Sequence, residues 1–174
     1  KEREIIDSYS PENAAINTTH KKQLIQNLHD ALYFGMAVSY IQGLHLLQTA
    51  SDAYKYQINI AEVVRIWKGG CIIRSLMLND IRKAYVSNAA LKNLLLDKEF
   101  YTLLEQKRNA LVNTLKTGMD NKIAMPVLSS SLNYFDMFST GRSASNLIQA
   151  QRDFFGAHTY ERIDKEGSFH TDWN

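Results

Sequence analysis

A chain of 174 residues with 45% apolar and 22% charged content has the make-up of one globular domain. Its 20 basic and 18 acidic residues leave a formal charge of +2 without a long basic run, which argues against nucleic acid as a partner. A single cysteine, Cys71, rules out an internal disulfide and fits a reducing, cytoplasmic setting. No apolar run approaches the ~18 residues of a membrane span, so no membrane partner is expected.

Two prolines and eight glycines separate long runs of 3.6-residue periodicity, which predicts an all-α fold with one long helix and an extended C-terminal tail. Residues 1–19 are polar and mixed. They begin at Lys1 without a signal pattern and read as a variable connection or a cut end. Thr18 and Thr19 are candidate caps for the long helix that begins beside them. From His20 to about Tyr54, Leu24, Leu28, Leu32, Gly35 or Met36, Ser39 or Tyr40, Gly43 and Leu47 recur on one side of a helix. The small residues Ala31, Gly35, Ala37, Ser39 and Gly43 lower helix propensity, by up to about 1 kcal/mol for each glycine. Close approach of a neighbouring helix would offset that cost. About 35 residues at 1.5 Å each exceed 50 Å, more than one small core needs, which suits a helix reaching a second subunit.

Asn59 caps a short helix ending near Trp67, and Gly69-Gly70 breaks the chain. A further helix is expected to hold Ile72, Ile73, Leu76, Met77, Ile81 and Tyr85. Asp97 caps another, with Phe100, Leu103, Leu104, Leu111 and Leu115 inside it and Gly118 closing it. Pro126 suits the first position of the next helix, which carries Leu128, Leu132, Phe135 and Phe138. Ser143 or Ser145 opens the last one, through Leu147, Ile148, Phe154 and Phe155 to Gly156. No internal repeat and no strand pattern of period two is found. The helical body thus covers residues 20–156 and the tail residues 157–174. Tyr160, Phe169 and Trp173 in that tail favour docking on another surface over fraying.

The sharpest chemical constellation runs from Gln149 to Tyr160. Arg152 falls in the last turn of a helix that Gly156 stops, and His158 lies just beyond it, so both side chains could converge on one spot. The planar guanidinium suits two-point capture of phosphate or carboxylate. A helix C-terminus repels anions, however, so both side chains would have to overcome that field. The other reading stays open: Arg152 pairs with Asp153 or caps carbonyls, and His158 is an exposed cap. Gly69–Ser75 lacks a P-loop ending and reads as structural packing. Cys71, flanked by Ile72 and Ile73, reads as a buried inert thiol. His20, His29 and His45 lack metal spacing, so no metal is expected. No Gly-x-Gly-x-x-Gly follows a strand, so the chain does not itself cradle a dinucleotide.

Several blocks together resemble the 6-phosphogluconate dehydrogenase family in order and spacing: Trp67–Ser75 (WKGGCIIRS), Leu91–Asp97 (LKNLLLD), Asn146–Glu161 (NLIQAQRDFFGAHTYE) and Phe169–Trp173 (FHTDW). Ala31–Tyr33 with Ser39–Gly43 resembles that family's long central helix. The resemblance covers residues 20–174, corresponding to the C-terminal helical part. It departs at Gly141–Ser145, where the family usually has proline before Asn146. It implies oxidative decarboxylation of 6-phosphogluconate to ribulose 5-phosphate in the pentose phosphate pathway, with NADP bound by an N-terminal domain outside this chain and no metal. It places the acid–base lysine and glutamate in that missing part, so no catalytic residue is expected here and the chain by itself should be inactive. By the same resemblance Arg152 grips the substrate phosphate and His158 contacts the sugar end, both in the partner subunit's site of an obligate homodimer. Residues 20–156 then serve dimerisation and substrate binding, and residues 157–174 dock on the partner. The alternative is a non-catalytic helical interaction module of the same fold.

Overall fold

A computed structural model of the chain describes residues 1–9 and 19–173, so the candidate cap at Thr18 lies outside the described residues. The elements are α1 (Glu2–Asp7), α2 (Lys21–Tyr54), α3 (Ile60–Lys68), α4 (Leu78–Ser87), a 3-10 turn (Leu94–Leu96), α5 (Lys98–Asp120), α6 (Pro126–Ser139) and α7 (Ser145–Gly156). The all-α architecture is as expected, with one addition. Strands β1 (Tyr160–Glu161) and β2 (Ser168–Phe169) pair antiparallel in the tail, Tyr160 opposite Phe169. Strands of two residues carry no readable alternation, which is why periodicity gave no sign of them. The chain forms two compact units, residues 1–134 and residues 135–174, so the tail belongs with α7.

In the first unit α2 packs along α5. The fully buried Phe34, Val38, Ile41 and Leu44 of α2 share the core with Leu104 and Leu111 of α5, and burying each such side chain stabilises by about 1.5–3 kcal/mol. The face read from the sequence overlaps this one only in part, at the buried Gly35 and Tyr40. Leu28, Leu32 and Met36 are exposed, and the buried set is rotated from them around the helix. α2 therefore has two apolar faces, of which its own fold covers one. Close approach of a neighbouring helix is found at Gly35, where an added Cβ would stand 2.7 Å from Leu128 Cδ2 of α6; at Gly43 nothing lies within 4 Å. The cap position of α2 is His20, without a side-chain capping bond. Across the helix pair Lys107 Nζ meets Asp30 Oδ1 at 2.6 Å and lies 5.1 Å from the Tyr33 ring centre. The Lys107 hydrogen bond, aided by Gln26, brings the Asp30 carboxyl down to about 2.

Asn59 accepts from the Glu62 N–H at 3.2 Å and Asp97 from the Phe100 N–H at 2.9 Å, the two caps expected from sequence. Three expectations change here. Ile72, Ile73 and Leu76 lie outside any helix, because α4 begins only at Leu78, after the turn in which Arg74 N–H donates to the Cys71 carbonyl. Ile72 and Leu76 are exposed, as is Cys71, which is therefore no buried thiol. The apolar run Ile72-Ile73 borders an open groove with Met36, Tyr40 and Trp67 rather than a helix core. Gly118 does not close α5, which runs on to Asp120.

Candidate functional site

α7 opens at Ser145, with Ala144 rather than a serine at the cap position; Ser143 accepts from the Ser145 N–H at 3.3 Å. It ends as expected at Gly156, with the last helical bond from the Ala157 N–H to the Asp153 carbonyl at 2.8 Å, and Ala157 itself takes a left-handed backbone (φ 50°) that turns the chain away. Thr159 is also left-handed (φ 61°), so His158 sits between two residues of that conformation. A non-glycine residue holds it at a cost of roughly 1–2 kcal/mol unless neighbours fix it.

The neighbour that fixes it is Asp153, which is completely buried. Its carboxylate accepts from the Thr159 N–H (3.1 Å) and His170 Nδ1 (2.9 Å) on one oxygen, and from the Thr171 N–H (2.9 Å) and Trp173 Nε1 (3.0 Å) on the other. Burial pushes this carboxyl up, but the Thr171 amide, His170 and Trp173 outweigh it and bring it down to about 2. A charged carboxylate with full hydrogen bonding is the stable way to bury such a group. The arm is further tied by Tyr160 Oη and Thr171 Oγ1 at 2.7 Å, and by Trp173 standing edge-on to Phe154 at 5.8 Å.

Arg152 and His158, the two side chains singled out in the sequence, both lie exposed at this end of α7. The pairing of Arg152 with Asp153 does not occur: the carboxylate is taken by the arm, and the guanidinium makes a 3.5 Å contact with Gln149 Oε1. The His158 ring lies over Gly156, where an added Cβ would stand 2.8 Å from Nε2. Asp153 itself escaped the sequence reading except as a partner for Arg152. A signal was there, since an acid in the last turn of a helix sits against the helix dipole and needs a compensating partner. An open cavity of about 450 Å3 lies nearby, lined by Arg142, Asn146, Gln149, Tyr160, Arg162 and Trp173 among others, but not by Arg152 or His158. Among the described residues no three His, Cys, Asp or Glu side chains gather as metal ligands would. Among the described residues the strands are the two-residue pair of the arm, and no glycine-rich turn leads from either into a helix, so these residues do not fit a dinucleotide.

Fold and site thus define an all-helical domain that carries a clasped C-terminal arm and presents an arginine and a histidine outward. The chain belongs to the 6-phosphogluconate dehydrogenase C-terminal domain family, which it matches over residues 1–173, including the first 19 residues where the sequence showed little resemblance. It is 48% identical over 153 residues to a chloroplastic decarboxylating 6-phosphogluconate dehydrogenase of Oryza sativa subsp. japonica, covering 88% of this chain and 30% of that protein. The decarboxylating enzyme of Escherichia coli is 44% identical, with 88% of this chain and 33% of that protein covered. A solved structure of Plasmodium falciparum 6-phosphogluconate dehydrogenase, described as apo, with its cofactor NADP+ and with its substrate 6-phosphogluconate, superposes with a TM-score of 0.91 at 38% identity. That match covers 99% of this chain and 37% of the other. The chain therefore spans about a third of the length of the relatives it matches.

Proposed function

We propose that the whole protein is an NADP-dependent, decarboxylating 6-phosphogluconate dehydrogenase and that this chain supplies part of its substrate site. The observation that carries the reading is the exposed Arg152 guanidinium at the end of α7, with its natural ion partner Asp153 withdrawn into the arm. On this reading Arg152 grips the phosphate of 6-phosphogluconate and His158 contacts the sugar end. Coenzyme binding and acid–base chemistry belong to the N-terminal domain, so the chain by itself is inactive. The alternative of a non-catalytic module loses ground because Arg152 and His158 are both present and both exposed.

The electrostatics favour a site shared between subunits. The α7 C-terminus and the ionised Asp153 are both negative, so one arginine there does not hold a phosphate by itself. Further cations would come from the partner of a homodimer. Apolar surface for that partner exists on α2, at Ile25, Leu28, Leu32 and Leu46, and on α7, at Leu147 and Phe155. Among the described residues no helix is long and apolar enough to cross a membrane.

The test is Arg152→Ala in the whole enzyme. It should raise the KM for 6-phosphogluconate by an amount worth on the order of 2–4 kcal/mol, with the coenzyme KM nearly unchanged. Arg152→Lys should recover part of the loss, since an ammonium lacks the planar two-point contact. Unchanged substrate KM in Arg152→Ala would refute the assignment.

A further inference from the structure

We propose that Asp153 is the positioning residue of this site: a buried carboxylate that clasps the C-terminal arm to α7 and thereby sets where His158 is presented. The proposal rests on the reading of His158 as a substrate contact. It comes from the way one residue brackets another. The Asp153 carboxylate accepts from the Thr159 N–H just after His158, while its backbone carbonyl takes the last helical bond from the Ala157 N–H just before it. Both flanking residues are left-handed without being glycine, a conformation that costs free energy for a residue with a Cβ. The same carboxylate draws in the far end of the arm through His170, Thr171 and Trp173. The turn carrying His158 and the end of the tail, more than ten residues later, are thus fixed by one side chain that is completely buried and touches no solvent.

The chemistry is specific to a carboxylate. Each oxygen accepts two hydrogen bonds from four donors. An amide offers one oxygen and an NH2 group, so Asn at this position sets its NH2 against at least one backbone N–H, of Thr159 or of Thr171. Asp153 is completely buried while Arg152 and His158 are exposed, so its effect on substrate must pass through the turn.

Two measurements on the whole enzyme test this. In the unmodified protein, the amides of Thr159 and Thr171 should exchange with solvent on the order of a hundredfold or more slower than free peptide amides, although their segment lies on the surface. Exchange at unprotected rates would overturn the clasp without any variant having to fold. In kinetics, Asp153→Asn should raise the KM for 6-phosphogluconate by about tenfold or more with the coenzyme KM within about twofold. Added to His158→Ala, it should raise it by less than about twofold further, because the two act as one unit. An equal effect in both backgrounds would show that Asp153 does not act through His158. If His158→Ala leaves the substrate KM unchanged, the reading of His158 as a substrate contact is what fails. The exchange measurement then still decides whether Asp153 holds the turn.

Discussion

A Cβ built on Gly156 would stand 2.8 Å from His158 Nε2, so the imidazole lies over the last residue of α7. The atom it meets is the far end of a side chain, and Gly156 is not left-handed. Gly156→Ala should therefore fold normally and gain up to about 1 kcal/mol of helix propensity. The His158 ring must move. We expect unchanged or slightly raised thermal stability together with a shifted His158 ring resonance and a several-fold higher KM for 6-phosphogluconate. An unmoved His158 resonance would show that the ring does not rest on Gly156.

The Lys107–Asp30 pair should make stability depend on pH. Asp30 is lowered from 3.8 to about 2 in the folded protein. Its contribution is therefore complete above the ordinary value and is lost as pH falls from roughly 5 towards 2. Asp153 shifts in the same direction. Urea unfolding at pH 7 should find Asp30→Asn less stable by about 1 kcal/mol, and the gap to the unmodified protein should narrow by pH 3. A gap that stays constant across that range would contradict the assignment.

Leu104 is fully buried in the α2–α5 core. Leu104→Ala should cost about 2–5 kcal/mol, depending on how far the surroundings close in. Asp97→Ala removes one capping bond from α5 and should cost about 1 kcal/mol. Equal losses from the two would mean that Leu104 is not packed as described.

The elements legible in the sequence were those with a local chemical cause. Asn59 and Asp97 cap because a short oxygen-bearing side chain meets the start of an apolar period, and Pro126 opens a helix because its missing N–H costs nothing there. The long helix was legible, but its buried face only in part, at Gly35 and Tyr40. Two apolar stripes on one helix look alike until a second subunit or a core chooses between them. Ile72 and Ile73 misled for the same reason, since an apolar run does not say whether it faces a core or an open groove. At the site, Arg152 and His158 stood out by residue type and spacing. Asp153 did not, because its four donors come from residues six to twenty positions later and meet it only in the fold.

A mixed dimer gives the most direct test of a substrate site shared between subunits. One subunit carries Arg152→Ala, and the other lacks the catalytic lysine that the family resemblance places in the N-terminal part. With 6-phosphogluconate held well below the raised KM of Arg152→Ala, each homodimer is expected to be nearly inactive. The mixed dimer holds one site in which an intact lysine from one chain meets an intact Arg152 from the other, and we expect activity to return there. Verified mixed dimers as inactive as either parent would contradict the assignment of Arg152 to the partner's site.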